Sequence, residues 1–154
     1  MTAALEIRGI TKQFGKMKAV DNVSFSVEPG EICGFIGPNG AGKTTTMRII
    51  STLELPDSGD VLEAAREVRA FIGFMPDSYG AYSAVTIAEY LDFFARAHGL
   101  RGRARTRTVA SVMDFTSLHG ISGKHIDALS KGMKQRLCLA KTLLHDPKLL
   151  ILDE

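Results

Sequence analysis

The run Gly37-Pro38-Asn39-Gly40-Ala41-Gly42-Lys43-Thr44-Thr45 constrains this chain more than any other stretch. Gly37, Gly42, Lys43 and Thr44 satisfy the spacing G-x-x-x-x-G-K-[ST], with apolar residues from Ile32 to Ile36 before them and a helix-forming segment after them. Glycines let successive backbone N–H groups turn inward with no Cβ in the way, as a cluster of phosphate oxygens requires. A helix beginning near Lys43 adds unpaired N–H groups and the positive end of its dipole, while the lysine adds a mobile cation. The spacing therefore predicts a buried parallel strand over Ile32–Ile36, a phosphate-binding loop and a helix, with the Thr44 hydroxyl placed to ligate Mg²⁺. An ordinary glycine turn before a helix is the competing reading.

A chain of 154 residues can bury one respectable core, so one domain or part of one is expected. Its net charge of +2 argues against a dedicated nucleic-acid binder. Cys33 and Cys138 lie singly in apolar stretches, which predicts core packing in a reduced, cytosolic protein rather than a disulfide scaffold. No apolar run approaches the roughly 20 residues that cross a bilayer. Met1 to Leu5 lacks the features of a signal peptide, so a soluble chain is expected.

Leu5-Glu6-Ile7 and Val23 to Val27 alternate apolar and polar residues, as half-exposed antiparallel strands do. Between them, Phe14 beside Gly15 is an aromatic that either stacks on a flat ring or packs in the core. The segment Lys43 to Leu53 continues as a helix with Met47, Ile49, Ile50 and Leu53 available for packing, and Pro56-Asp57-Ser58-Gly59 predicts a turn. Residues 63 to 70 fit a short helix or a loop, and Phe71 to Met75 a buried strand stopped by Pro76. Thr86 and Glu89 have capping-box spacing before a helical pattern of Ile87, Tyr90, Leu91 and Phe94. A second amphipathic helix is expected over residues 106 to 118, and Arg101, Arg103, Arg105 and Arg107 form a basic cluster in the connection before it.

The aliphatic run Leu149-Leu150-Ile151-Leu152 ends in Asp153-Glu154, the form of a buried strand that delivers carboxylates to a site at its edge. Beside a phosphate loop, Asp153 can hold Mg²⁺ through its water shell and Glu154 can polarise an attacking water. A solvated acidic turn is the alternative.

Leu129-Ser130-Lys131-Gly132-Met133 precedes a further helical run and resembles the L-S-G-G-Q signature of ABC-type ATPases, matching at Leu129, Ser130 and Gly132 and departing at Lys131 and Met133. The order of Phe14, the loop Gly37 to Thr45, the strand to Asp77, the signature and the final aliphatic strand extends the resemblance over nearly the whole chain. The chain looks most like an ATP-binding subunit of an exporter-type ABC transporter that stops just after the Walker B motif. The resemblance implies an α/β P-loop NTPase fold with a partly parallel core sheet, an N-terminal antiparallel part and a helical insert. Residues 1–154 would form one incomplete domain, with a nucleotide-binding core at about 1–84 and 137–154 and a helical subdomain at about 85–136.

It further implies ATP and Mg²⁺ as cofactors, with Phe14 stacking on the base and Gly37, Pro38, Asn39, Gly40, Ala41, Gly42, Lys43, Thr44 and Thr45 binding ATP. Lys43 and Glu154 take catalytic roles, and Thr44, Asp153 and Asp77, which stands where the family has glutamine, are metal ligands. Leu129, Ser130, Lys131, Gly132 and Met133 would face the ATP of a second subunit in a homo- or heterodimer. Transmembrane permease subunits are the other implied partners, met through Tyr79, Tyr82 and the helix from Thr86, which places the chain on the cytoplasmic face of the membrane with no nucleic acid expected.

Two departures carry expectations of their own. The segment from Gly59 to Ile72 is short, which predicts a missing strand or hairpin. None of His98, His119, His125 and His145 matches the family's switch histidine, so a catalytically incomplete nucleotide-binding fragment is one alternative function. A non-transport ATPase working on ribosomes or DNA is another, and an importer a third.

Overall fold

The computed structural model describes residues 3–63, 72–77 and 84–153. They fall into two compact units, one drawn from Met1–Ile72 together with Asp153 and the other from Gly73–Leu152.

The first unit is built on three antiparallel strands, β1 (Leu5–Phe14), β2 (Met17–Val27) and β3 (Ser58–Glu63), in the order β2-β1-β3. The alternation in the sequence buries Leu5 and Ile7 of the central strand, and past the register shift that follows Ile7, Ile10 is buried as well. Gly9 adopts φ +57°, where the β1–β2 register shifts, and its N–H donates to Ser24 Oγ at 2.8 Å. Both strands expected from alternation are therefore present, as the far ends of a longer hairpin closed between Phe14 and Met17.

Helix α1 (Lys43–Ile50) buries Thr46, Ile49 and Ile50 and is shorter than the expected run to Leu53. Thr52 turns left-handed at φ +58°, while the Leu53 N–H reaches Arg48 O and the Thr52 N–H reaches Ile49 O. That pairing closes the helix as a Schellman motif. Leu53 is consequently exposed rather than packed. The expected turn at Pro56–Gly59 is also shorter, because Ser58 and Gly59 already belong to β3. A Cβ on Gly59, at φ +88°, would run into the Gly9 carbonyl, so this close approach needs glycine. Strand β3 pairs with β1 from Ser58 to Glu63, and the rest of the segment on which the expectation of a missing strand or hairpin falls lies outside the described residues. The reading of residues 63 to 70 keeps only Glu63, as the end of β3, and the rest lies outside the described residues.

The strand expected over Ile32–Ile36 is not formed. Ile32 and Ile36 are 97% and 99% exposed. A buried strand must pair its N–H and C=O groups on both sides. Among the described residues the strands pair only as β2-β1-β3 and β4-β5, and none lies against this segment. Phe35 alone gains a ring neighbour, meeting Phe25 of β2 edge-on at 5.2 Å. Cys33 is accordingly exposed and fills no core position, whereas Cys138 is buried as expected.

The second unit contains strand β4 (Ile72–Met75), helices α2 (Ile87–Ala97), α3 (Gly102–Phe115) and α4 (Lys131–Leu143), and strand β5 (Leu149–Leu152), with β4 beside β5. The capping box at the start of α2 is complete: the Thr86 N–H donates to Glu89 Oε2 at 2.8 Å and the Glu89 N–H to Thr86 Oγ1 at 3.2 Å. Ile87, Tyr90 and Leu91 pack with Val109, Val112 and Met113 of α3 and with Leu137 and Ala140 of α4 in one apolar cluster. Helix α3 opens at Gly102 rather than residue 106, so Arg103, Arg105 and Arg107 ride on its first turns instead of filling a connection. Arg105 pairs with Asp92 at 2.7 Å, and Asp92 also accepts from Arg96 at 2.8 Å. A Cβ on Gly73 would stand 2.8 Å from Pro147 and 2.9 Å from Thr142, so β4 approaches the end of α4 through a glycine. Strand β5 buries only Ile151, which corrects the expectation of a buried strand, since Leu150 and Leu152 are exposed on its other face.

Where α2 and α4 end, the rings of His98 and His145 stack at 4.6 Å with 18° between their planes. Burial first, then the neighbouring His145 and Lys141, hold His98 below the ordinary histidine range. The fold accepts its neutral form, so this contribution to stability is present above the unfolded value of about 6.5 and declines as pH falls below it. An NMR titration should place the His98 midpoint below that value, and His98→Gln should lessen the fall in melting temperature between about pH 7 and 5. A midpoint at or above the ordinary value would contradict the stacked geometry.

Candidate functional site

The loop from Gly37 to Gly42 is shaped by backbone. Gly40 and Gly42 adopt φ +83° and φ +85°, and the Ala41 N–H donates to Pro38 O at 3.2 Å. A Cβ on Gly42 would collide with the Ala19 carbonyl and reach Val20 Cγ2 at 3.5 Å, so β2 forms a fixed wall behind the last turn of the loop. Helix α1 starts at the next residue with no side-chain cap and no acid in its first turn. Its first-turn amides and dipole therefore favour an anion in front of Lys43.

Lys43 Nζ donates to Gly37 O at 2.8 Å and Pro38 O at 3.0 Å, which folds the ammonium over the loop. Thr44, one residue on and turned about 100° around the helix, points elsewhere. Its Oγ1 donates to Asp153 Oδ1 at 3.1 Å, across 109 residues of sequence. Asp153 is only 5% exposed, a burial that carboxylates avoid unless partnered. Two of the three expected metal ligands, Thr44 and Asp153, are thus brought together. A hydroxyl and a carboxylate form an oxygen-only pair of hard donors, which fits Mg²⁺, an ion that takes few protein ligands and completes its shell with water and phosphate. Among the described residues no group of three or more His, Cys, Asp or Glu side chains is arranged for a metal ion.

Phe14 closes β1 and is 46% exposed. The Lys12 ammonium lies over that ring at 5.4 Å and is itself held by Leu55 O at 2.7 Å, Glu54 Oε1 at 3.1 Å and Asp57 Oδ1 at 3.3 Å. The hydrogen bond to Glu54, ahead of that to Asp57, raises the Lys12 pKa above the ordinary lysine value. Asp57 is shifted below the carboxylate range, chiefly by the Gln13 N–H that donates to its Oδ2 at 2.7 Å, with Lys12 adding to it. Sequence reasoning missed this cluster. The signal was available, because Lys12 and Phe14 are two apart on a strand and share a face.

The other expected site residues have their own surroundings. Asp77 is exposed beyond β4 in the second unit. Ser130 caps α4 by accepting from the Met133 N–H at 3.3 Å, with Leu129 buried, Lys131 and Gly132 exposed and Met133 half-buried. Within the loop Asn39 is exposed and Thr45 half-buried. Glu154, Tyr79 and Tyr82 lie outside the described residues.

A sequence profile described as "ABC transporter" matches residues 20–154. A protein of Escherichia coli (strain K12) named "Probable multidrug ABC transporter ATP-binding protein YbhF" is 39% identical over 157 residues, covering 97% of this chain and 27% of its own length. The Nod factor export ATP-binding protein I of Burkholderia orbicola (strain AU 1054) is 36% identical, over 99% of this chain and 52% of its own. Among solved structures, cbiO1 from Clostridium perfringens, described as part of the ABC transporter complex cbiONQ, superposes with a TM-score of 0.85 at 25% identity, over 99% of this chain and 65% of that one. The chain thus spans from about a quarter to about half the length of these curated relatives.

The two left-handed glycines differ in surroundings, because a Cβ on Gly40 meets nothing within 4 Å. Gly40→Ala should therefore lower stability by about 1–2 kcal/mol, the strain of that backbone region alone. Gly42→Ala should lower it by clearly more and remove triphosphate binding, as measured by thermal unfolding and calorimetric titration. Equal effects of the two substitutions would show that the Ala19 wall is not rigid.

Proposed function

The chain belongs to the ABC transporter family, and from that premise we propose that it binds ATP with Mg²⁺ and, within a longer ATP-binding subunit, hydrolyses it to power transport through separate transmembrane subunits. The observation that carries this reading is the meeting of Thr44 with Asp153 directly behind a glycine loop that ends in Lys43. Loop amides and Lys43 hold and neutralise the outer phosphates. Thr44 and Asp153 would hold Mg²⁺, which supplies further charge neutralisation when bound. Asp77 offers one more oxygen ligand. Glu154 orients the attacking water and accepts its proton as the water oxygen bonds to the γ-phosphorus and the bond to the β–γ bridging oxygen breaks, leaving ADP.

The remaining roles follow the family. Residues 1–84 and 137–154 serve as nucleotide-binding core and 85–136 as helical subdomain. Leu129 to Met133 face the ATP of a second subunit in a homo- or heterodimer, and Tyr79, Tyr82 and the helix from Thr86 meet the transmembrane permease subunits. No helix among the described residues is long and apolar enough to cross a membrane, which supports a division of labour with permease subunits at the cytoplasmic face. Relatedness to a Nod factor export protein and to a protein named for multidrug transport supports export as the direction.

Lys43→Ala should weaken ATP binding by about 10- to 100-fold, the equivalent of losing a charge-assisted contact of roughly 1.5–3 kcal/mol. Glu154→Gln should leave binding intact and slow turnover by about 100-fold or more in the assembled subunit. Wild-type ATP affinity in Lys43→Ala would sink the reading.

A further inference from the structure

Phe14 is the end of a small, fully specified assembly rather than a lone exposed ring. One face lies under the Lys12 ammonium at 5.4 Å, and Phe14 is 46% exposed, so the residue keeps surface open to solvent beside that contact. The ammonium cannot drift. It donates to Leu55 O and is flanked by the Glu54 and Asp57 carboxylates, and the Lys12 side chain is only 12% exposed. Asp57 in turn accepts from the Gln13 N–H and gives its own N–H to Thr11 O at 2.8 Å, so the connection after α1 is laced to the strand that ends in Phe14.

We propose that Lys12 is a positioning residue for nucleotide binding, fixing the Phe14 ring from one face so that the open face is a preformed stacking platform for the base. A cation over one face of an aromatic ring draws on its π-electrons, which leaves the opposite face better matched to an electron-rich purine. The clamp also removes rotamers that the ring would otherwise lose on binding, so less ordering remains to oppose association. Lys12 touches neither the phosphates nor the reacting atoms, and its effect is confined to the base. The proposal rests on the assignment of Phe14 as the base-stacking residue.

The test compares ATP with inorganic tripolyphosphate, which engages the phosphate loop but carries no base, by calorimetric titration of the purified protein. Lys12→Met should weaken ATP binding by about fivefold, as expected for a partly desolvated cation–π contact. It should leave tripolyphosphate binding unchanged, and Lys12→Arg should restore ATP binding. Phe14→Leu should weaken ATP by about tenfold with no change for tripolyphosphate, and adding Lys12→Met to it should cause no further loss. Should Lys12→Met fail to fold, Glu54→Gln, which loosens the tether and keeps the charge, must give the same ATP-specific loss. Equal losses for both ligands, or an unchanged ATP affinity while Phe14→Leu weakens it, overturn the proposal alone. An unchanged ATP affinity in Phe14→Leu overturns the stacking assignment itself.

Discussion

At Gly42 the backbone turns left-handed with the Ala19 carbonyl where a Cβ would otherwise be, and the candidate site depends on that contact. The contact fixes the end of the loop against β2, so α1 starts from a defined point in a defined direction. Consecutive residues of a helix diverge by about 100°, and Lys43 and Thr44 use that divergence to serve two different groups. Lys43 folds back over the Gly37 and Pro38 carbonyls, while Thr44 reaches Asp153. A helix rotated by one residue would turn both the Lys43 ammonium and the Thr44 hydroxyl away from their present partners.

The other end of α1 serves the site as well. The Schellman closure at Thr52 leaves Leu53 in solvent, an unfavourable placement for a leucine, but it turns the chain so that Glu54, the Leu55 carbonyl and Asp57 arrive around Lys12. A single short helix thereby ties the phosphate loop at its start to the aromatic ring of β1 at its finish. The glycine loop and the Phe14 ring belong to one unit, and eight residues of helix lie between the loop and the connection that reaches Lys12.

Sequence alone revealed what local chemistry determines. The loop glycines, the Thr86 capping box and the alternation in β1 and β2 each act over a few residues, and each is present in the structure. Expectations that required distant partners fared differently. Ile32 to Ile36 has the composition of a buried strand, but composition supplies no neighbouring strand, and the segment is exposed. Leu150 and Leu152 show the same limit in β5, where an aliphatic run was read as buried on both faces. The arginines at the start of α3 were misplaced because helix N-termini avoid positive charge, and here the pairing of Arg105 with Asp92 overrides that preference. The Lys12 cluster was missed because its carboxylates come from the far side of α1, more than 40 residues away.

The Thr44–Asp153 contact also couples two sequence-distant groups of the first unit to its folding. Bringing residues 109 apart into hydrogen-bond range carries a loop-closure entropy that grows only with the logarithm of that separation, and one neutral-to-charged hydrogen bond of roughly 1.5–3 kcal/mol offsets only part of it. The carboxylate is therefore held mainly by the surrounding structure, and the hydroxyl meets it as a consequence. In the unfolded chain the two oxygens are independent, so a ligand that engages both recognises only the folded state and stabilises it by mass action in proportion to the logarithm of its concentration over Kd. Because the Thr44 hydroxyl and the Asp153 carboxylate meet only within the folded first unit, any ligand of both oxygens would report on the integrity of that unit.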